Sequence, residues 1–403
     1  MIIGIIGGGA SGMAAALAAA QNPDVQVLLF ERQARLGRKL QATGNGRCNL
    51  SNIYASERGY HGQSPDFIVP ALSRFDPEET LRWFHELGLF TVCEPSGRVY
   101  PYSDQANSVL DVLRFALEKP NIRVLTGTEV SRLRREKGGF SVDGTYCDRV
   151  IVACGGLAGS KLGGTMSGYQ LLRSMGHRMT KLRPALVQLK SSWTGIGALK
   201  GVRANCCAEV YQDERLHSRS TGEIQFTEYG ISGPVIFEIS RDACQGAGSW
   251  LCRLDLLPEI SAEELYQELD RRRKTQLPAQ ELLTGILHNR LGRVVTKEAG
   301  LSLNGQVSDL TDYELRQVCA AVKSFEVPLS EPLGMDSAQV TAGGIVTEDF
   351  DPDTMESKLV PGLYACGEVL DIDGDCGGYN LQWAWSSGRC AGLHAGKETH
   401  DQN

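Results

Sequence analysis

Twelve cysteines are spread through the 403 residues, yet no Cys-x-x-Cys pair, no Cys-x4-Cys pair and no His/Cys cluster at zinc spacing occurs. That argues against a structural zinc site, and the missing Cys-x4-Cys excludes the dithiol flavin reductases. Most cysteines lie in apolar runs (Cys147, Cys154, Cys252, Cys319, Cys366), where Cys packs as a small core residue. The vicinal Cys206-Cys207 reads as two thiols on opposite faces of a strand. Free thiols in this number suit a reducing cytoplasm. No stretch of about eighteen apolar residues occurs, and the N-terminus reads at once as a strand, so a cytosolic protein without membrane span or signal peptide is expected. Excess positive charge is also lacking. A net charge of −7 argues against a stable nucleic-acid partner held by bulk charge. There are no internal repeats, and only Glu398 to Asn403 looks loose. Glycine, in contrast, is abundant: 46 residues gathered in a few loops, as in a chain that wraps backbone around a phosphorylated ligand.

The densest cluster opens the chain. The apolar run Ile2–Ile6 enters Gly7-x-Gly9-Ala10-Ser11-Gly12, a small-residue helix follows, and a second apolar strand, Val25–Phe30, ends on Glu31. Strand, tight turn, helix, strand and acid in this order are the dinucleotide fingerprint in its required context. Gly7 permits the turn, Gly9 lets backbone N–H groups approach a pyrophosphate, and Gly12 lets helix and strand pack closely. Glu31 can accept hydrogen bonds from a ribose. A lone glycine motif would say little, but the complete unit does not arise readily as a structural turn. It leaves FAD and NAD both open.

Four further glycine-rich stretches favour FAD. After Glu31 and Arg32 comes Gly37-Arg38-Lys39-Leu-Gln-Ala-Thr43-Gly44-Asn45-Gly46-Arg47-Cys48-Asn49, where an NAD domain would continue with helix and strand. Arg38 and Lys39 can neutralise phosphates, and N–H groups from Thr43 to Gly46 can reach pyrophosphate or flavin. The bland alternative is a surface loop. The second stretch is Val150–Ala153 running into Gly155-Gly156, at the carboxyl edge of a buried strand. The third is Gly163–Tyr169, opening a helix. The fourth is Gly362–Gly367-Glu368, continuing to Gly377-Gly378-Tyr379-Asn380-Leu381-Gln382. There Glu368 would hold a ribityl hydroxyl, and the helix beginning near Gly378 would point its N-terminus at the flavin pyrimidine. Val130, Ala153 and Gly155 complete the candidate cofactor contacts.

The texture along the chain is α/β: a Rossmann-like dinucleotide domain interrupted by a β-rich, barrel-like domain with a small helical insertion. The expected boundaries are 1–185 with 338–403 for the cofactor domain, 186–258 with 305–337 for the β-rich domain, and 259–304 for the helical one. Ser261-x-x-Glu264 reads as a capping box. The basic run Arg271 to Lys274 reads as a solvated helix face, with a phosphate contact as the minority alternative.

The segments Gly37–Asn52, Gly222–Pro234, Thr341–Gly344 and Thr354–Gly388 resemble the BaiN/YhiN-type flavoproteins, the aminoacetone-oxidase-like FAD-binding enzymes, and the resemblance runs from Ile2 to about Gly396. It implies FAD bound by Gly7 to Gly12, Glu31, Arg38, Lys39, Gly44 to Gly46, Gly367, Glu368 and Gly378 to Leu381. It also implies a substrate-side stretch at Arg98-Val99-Tyr100-Pro101. Ser167 stands where many members have Asp, which removes any acidic role there.

A flavin performs redox chemistry on carbon itself, so the protein need only hold it and tune charge around it. The catalytic candidates are Cys48, whose thiol pKa a neighbouring Arg47 could lower, with Arg98 and Tyr100. Each has a plain reading as scaffold. Glu228 and Tyr229 are further cavity-lining candidates, and His61, His85 and His177 have no partner that sequence identifies. No second Gly-x-Gly-x-x-Gly marks a dedicated NADPH domain, so NAD(P)H is expected as a transient reductant. The main expectation is NAD(P)H-driven reduction of a double bond in a small-molecule or RNA substrate, by a monomer. The alternatives are oxidation of a small amine such as aminoacetone by O2, reduction of uridine in ribosomal RNA, and a non-catalytic flavin sensor.

Overall fold

The computed structural model describes residues 1–243 and 245–397; the tail from Glu398 lies outside them. The chain divides into two compact units, Met1–Pro184 with Gln339 onward, and Ala185–Ala338.

The first unit is built on five parallel strands. β1 (Ile2–Ile6) sits at the centre, in register with β2 (Gln26–Glu31) on one side and Arg149–Val152 on the other. Leu363–Ala365 and Ile122–Thr126 form the edges. Both faces of such a sheet are covered, and the inner strands are accordingly continuous in Val, Ile and Leu. Between β1 and β2 runs α1 (Ala10–Ala19), nine of whose ten residues are buried. Its alanines make it slim, and the last helix, Tyr379–Ala395, packs against it at close range. Gly388, Gly392 and Gly396 face Ser11, Ala15 and Ala19, every fourth residue on each helix. Two helical glycines cost about 1 kcal/mol each relative to alanine; here they remove the Cβ atoms that would keep the backbones apart.

The second unit is a closed six-stranded antiparallel barrel, in the order Leu189–Ser191, Gly230–Ser232, Arg215–Phe226, Arg203–Gln212, Trp250–Asp255 and Phe325–Pro332. Closure leaves no open sheet edge. Cys206 belongs to its core, while Cys207 receives a hydrogen bond from Arg219 Nε at 3.0 Å. The helices Ala262–Arg272, Asn289–Glu298 and Asp312–Lys323 share that core. The first begins with the capping box, Ser261 accepting from the Glu264 N–H and Glu264 from the Ser261 N–H. The third falls between residues 305 and 337, so that stretch carries a helix as well as a barrel strand. Among the described residues no helix is long and apolar enough to cross a membrane.

Candidate active site

The fingerprint turn forms where β1 ends. Gly7 has φ +112°, and a Cβ on Gly12 would land on the Gly7 carbonyl oxygen. Gly9 differs: a Cβ there would meet no heavy atom within 4 Å, so its surroundings are an open cradle. Ala10 and Ser11 begin α1 without a side-chain cap and without an acid in the first turn. Their N–H groups have no intrahelical acceptor and carry the positive end of the helix dipole. Glu31 is fixed at the end of β2 by two backbone donors, Gly8 N–H at 2.8 Å and Gln33 N–H at 2.7 Å. It lines a cleft with Gly7, Arg32, Val130 and Ser167. Thr165, from the third glycine-rich stretch, lines it too, as does Thr128, which no motif marks. The carbonyl of Ala153 abuts Gly7, and Gly155 lies open at φ +71°.

Next along the cradle come residues from opposite ends of the chain. A Cβ on Gly367 would lie 2.5 Å from Ser11 Oγ. Glu368, expected to bind a ribityl hydroxyl, has both oxygens engaged: Lys39 Nζ lies 2.7 Å from Oε2, and the Thr341 N–H donates to Oε1 at 2.8 Å. Lys39, expected on phosphate, is therefore paired with an acid 329 residues away. Arg38 is exposed and donates to the side chain of Gln33.

The ring end is built from the loop Thr43–Asn49, the strand Arg98–Pro101 and the head of the last helix. Gly44, Asn45, Gly46 and Cys48 all have positive φ, so the loop coils tightly. Thr43 Oγ1 donates to the Leu40 carbonyl, and the Thr43 carbonyl accepts from the Cys48 N–H. Asn49 Oδ1 is buried with no protein donor, an acceptor left for a ligand N–H. A Cβ on Gly378 would meet the Ser51 carbonyl, which seats the helix start against Ser51–Asn52. Behind it, Gln382 is fully buried and saturated by Ser51, Thr80, Ser386 and the Phe75 carbonyl. Trp383 donates to the Gly367 carbonyl and Trp385 to that of Leu50. This explains the run after Gly378: it anchors the helix while its first turn stays uncapped and free of acids.

Some expectations change. The Asn380 side-chain amide is held by the backbone of Gly374 and Asp375, so what this residue presents at the helix start is its backbone N–H. Tyr379 packs edge-on against Tyr60, with ring centroids 5.7 Å apart; Leu381 packs at the margin of the core. Cys48 is not an activated thiol. It is fully buried, and burial pushes its pKa up to about 12. Arg47, expected to activate it, lies over the Tyr100 ring at 4.0 Å and pairs with Glu94 and Asp104. We expect Cys48 to alkylate about 100-fold or more slowly than exposed Cys93 in the native protein at pH 8; comparable labelling by mass spectrometry would refute its burial.

Tyr100 is buried beside Gly44, and the Arg98 guanidinium lies against Gly377. Among the described residues no carboxylate is paired with Arg98. The three histidines do have neighbours. His177 is buried, bonded to Ser357 Oγ and the Leu172 carbonyl and stacked on Phe350, and burial lowers its pKa. His85 packs edge-on against Phe90. His61 Nε2 lies 2.7 Å from Asp375 Oδ1, a pairing that sequence reasoning missed. In the barrel unit, Glu228 is paired with Lys200 and Tyr229 donates to Gln188. Three of the four cations of the basic run are paired there with neighbouring acids, Arg271 and Arg272 with Glu268 and Arg273 with Asp270 and Asp312.

An open glycine cradle at an uncapped helix start, an acid at the end of β2, an orphaned buried acceptor and a second uncapped helix fit an extended dinucleotide with a reactive ring. This is the architecture of a FAD-dependent oxidoreductase. The chain belongs to the HI0933-like family, whose Rossmann-domain family matches residues 1–394. It is 41% identical over 403 residues, 98% of each chain, to a 3-dehydro-bile acid delta(4,6)-reductase of Clostridium scindens. It is 29% identical over 392 residues, 95% of each, to a ribosomal RNA dihydrouridine synthase of Escherichia coli. Among solved structures, a 3-ketosteroid delta1-dehydrogenase of Sterolibacterium denitrificans covers 98% of this chain and 99% of its own at 13% identity, with a TM-score of 0.48.

Proposed function

We propose that the protein uses FAD to reduce a carbon–carbon double bond conjugated to a carbonyl, with NAD(P)H as electron donor. FAD, when bound, supplies two-electron chemistry at carbon. Gly7, Gly9 and the first N–H groups of α1 hold its pyrophosphate. Glu31 takes the ribose, with Arg32 and Val130 beside it, and the paired Lys39–Glu368 flanks the ribityl chain. The Thr43–Asn49 loop and the start of the last helix hold the ring.

The observation that carries this reading is the positive character of the ring end. The last helix starts uncapped, and Arg98 lies beside Gly377 with no carboxylate among the described residues paired to it. FAD held there would supply the electrons for reducing a conjugated double bond, and the dipole of the last helix and the Arg98 guanidinium would stabilise the negative charge that such a reduction develops. The names of the relatives fit one chemical class. A 3-oxo group conjugated to delta(4,6) bonds and a uracil carbonyl conjugated to its 5,6 bond are both enones. Neutralisation of Arg271 to Arg273 by neighbouring acids favours a small enone over RNA.

The test is anaerobic rapid mixing. NADH or NADPH is expected to bleach the flavin, and a steroid 4-en-3-one or 4,6-dien-3-one to restore its colour. Faster restoration by a uridine-bearing RNA fragment would move the substrate to RNA within the same class. Bleaching by aminoacetone with reoxidation by O2 alone would replace the reductase with an oxidase.

A further inference from the structure

We propose that Arg32 is a clasp across the adenosine end of the cleft, tying its two walls together and setting how fast FAD leaves; this rests on the cofactor reading above. Arg32 directly follows Glu31, so it stands where β2 ends and the loops at the carboxyl edge of the sheet converge. Its guanidinium reaches both walls. Nη2 donates to the Gly164 carbonyl at 3.3 Å, and Nη1 lies 3.8 Å from Glu129 Oε1. Only 28% of the Arg32 side chain is exposed, so it lies along the cleft rather than out in solvent.

The two walls differ in how firmly they are held. On the Gly164 side, Leu162, Gly163 and Gly164 donate their N–H groups to the carbonyls of Gly159 and Ser160, and Thr165 donates to that of Gly156. A Cβ on Gly164 would strike the carbonyl oxygens of Leu157 and Ala158, so this wall is packed backbone on backbone. On the other side, Thr126 to Glu129 are all exposed, and Gly127 turns at φ +66° with no heavy atom within 4 Å of a Cβ. Two backbone bonds fix the base of this wall, Gly127 N–H to the Gln33 carbonyl and Thr128 N–H to that of Glu31, both at 2.9 Å. Arg32 adds the tie from the Glu129 side chain. An ion pair with a carboxylate that is 62% exposed is weak and screened by salt, which suits a contact that opens and recloses.

The lining fits a neutral heteroaromatic base beneath the clasp. Phe30 and Val130 supply apolar surface and Thr128 and Ser167 supply hydroxyls, while Arg32 is the one cation among the described residues that line the cleft. A guanidinium is planar, so it can cover a purine face while its edge donates to a carbonyl. With Glu31 taking the ribose, the clasp closes over the base, and FAD leaves when Arg32 lets go of a wall.

The experiment compares native protein, Arg32→Gln and Glu129→Gln. FAD release from the loaded proteins is followed as free-flavin fluorescence after rapid dilution. It is expected to quicken at least about tenfold in Arg32→Gln, which loses a charged hydrogen bond and the cover over the base. Native release quickens as KCl is raised from about 10 mM to about 500 mM; Glu129→Gln releases faster at low salt and responds less to KCl. Binding to the apoproteins separates a clasp from a merely structural residue, because ADP carries the adenosine and FMN the ring. Arg32→Gln is expected to weaken ADP at least about tenfold and FMN by less than about twofold. A smaller increase in FAD release, FMN lost in step with ADP, or an unchanged KCl response in Glu129→Gln overturns the clasp alone. If native protein holds neither FAD nor ADP, the cofactor reading falls and takes the clasp with it.

Discussion

Replacing Gly12 with alanine is expected to leave a poorly folded protein that carries no flavin. The added methyl would sit on the Gly7 carbonyl oxygen, with the Gly7 carbonyl carbon at 3.0 Å. Both are backbone atoms between a buried strand and a buried helix, so no side chain can rotate away. Relief requires α1 to move off β1, and that opens the turn whose N–H groups are proposed to hold the pyrophosphate. Overpacking typically costs about 1–3 kcal/mol, and a clash confined to backbone belongs at or above the top of that range. Gly9→Ala separates folding from binding. Gly9 has ordinary extended backbone and no atom within 4 Å of a Cβ, so the apoprotein should melt within about 2 °C of native. Its methyl would nevertheless enter the cradle and weaken FAD binding at least about tenfold. Thermal melts and flavin titration check both variants. A Gly9→Ala protein that binds FAD as the native chain does would remove the fingerprint turn from the cofactor site.

The second large effect is expected at the other end of the chain. Gly388→Val should strip FAD and destabilise the protein about as much as Gly12→Ala, although the two positions are far apart in sequence. A Cβ at Gly388 would strike the carbonyl oxygen of Ser11, in the first turn of α1. Pushing the helices apart there displaces the same N–H groups that the fingerprint presents. Gly392 meets Ala15 equally hard, one turn further along. Gly396 is the control, since its Cβ would stand 3.1 Å from Ala19 O, a distance that a few tenths of an ångström relieve. The expected order of melting temperatures is therefore Gly396→Ala near native, with Gly392→Val and Gly388→Val far below. Flavin loss should be most complete at Gly388. Equal stability across the three would show that the helices do not rely on this close approach.

How much of the site is legible from sequence depends on how far apart its partners lie. Gly7 to Gly12, the strand before them and Glu31 after them are set by turn chemistry and short-range pairing, and they fold as the pattern requires. The capping box at Ser261 is likewise local, whereas the anchoring run after Gly378 finds Ser51, Phe75, Thr80 and Leu50 at the far end of the sequence. Cys48 shows the limit. Its neighbour Arg47 suggested an activated thiol, but the backbone at Cys48 is left-handed and turns the thiol into the core, while Arg47 turns out onto Tyr100. Adjacent residues in a coiled loop need not share an environment. The Asn380 side-chain amide closes the loop that precedes its own helix, a pairing that the local pattern does not specify.

The sequence by itself determined the dinucleotide fold, the glycine turns at both ends of the chain and the β-rich unit between them. Each rests on local signals: strand periodicity, glycine turns and the residue types at helix starts. Only the tertiary structure decided which charges meet. Lys39 finds Glu368 across 329 residues and His61 finds Asp375 across 314. Ser11 and Gly388 become neighbours because two helices lack the side chains that would hold them apart. Such pairings depend on the order in which strands join the sheet and on which helix covers which face, and no window of sequence contains both partners.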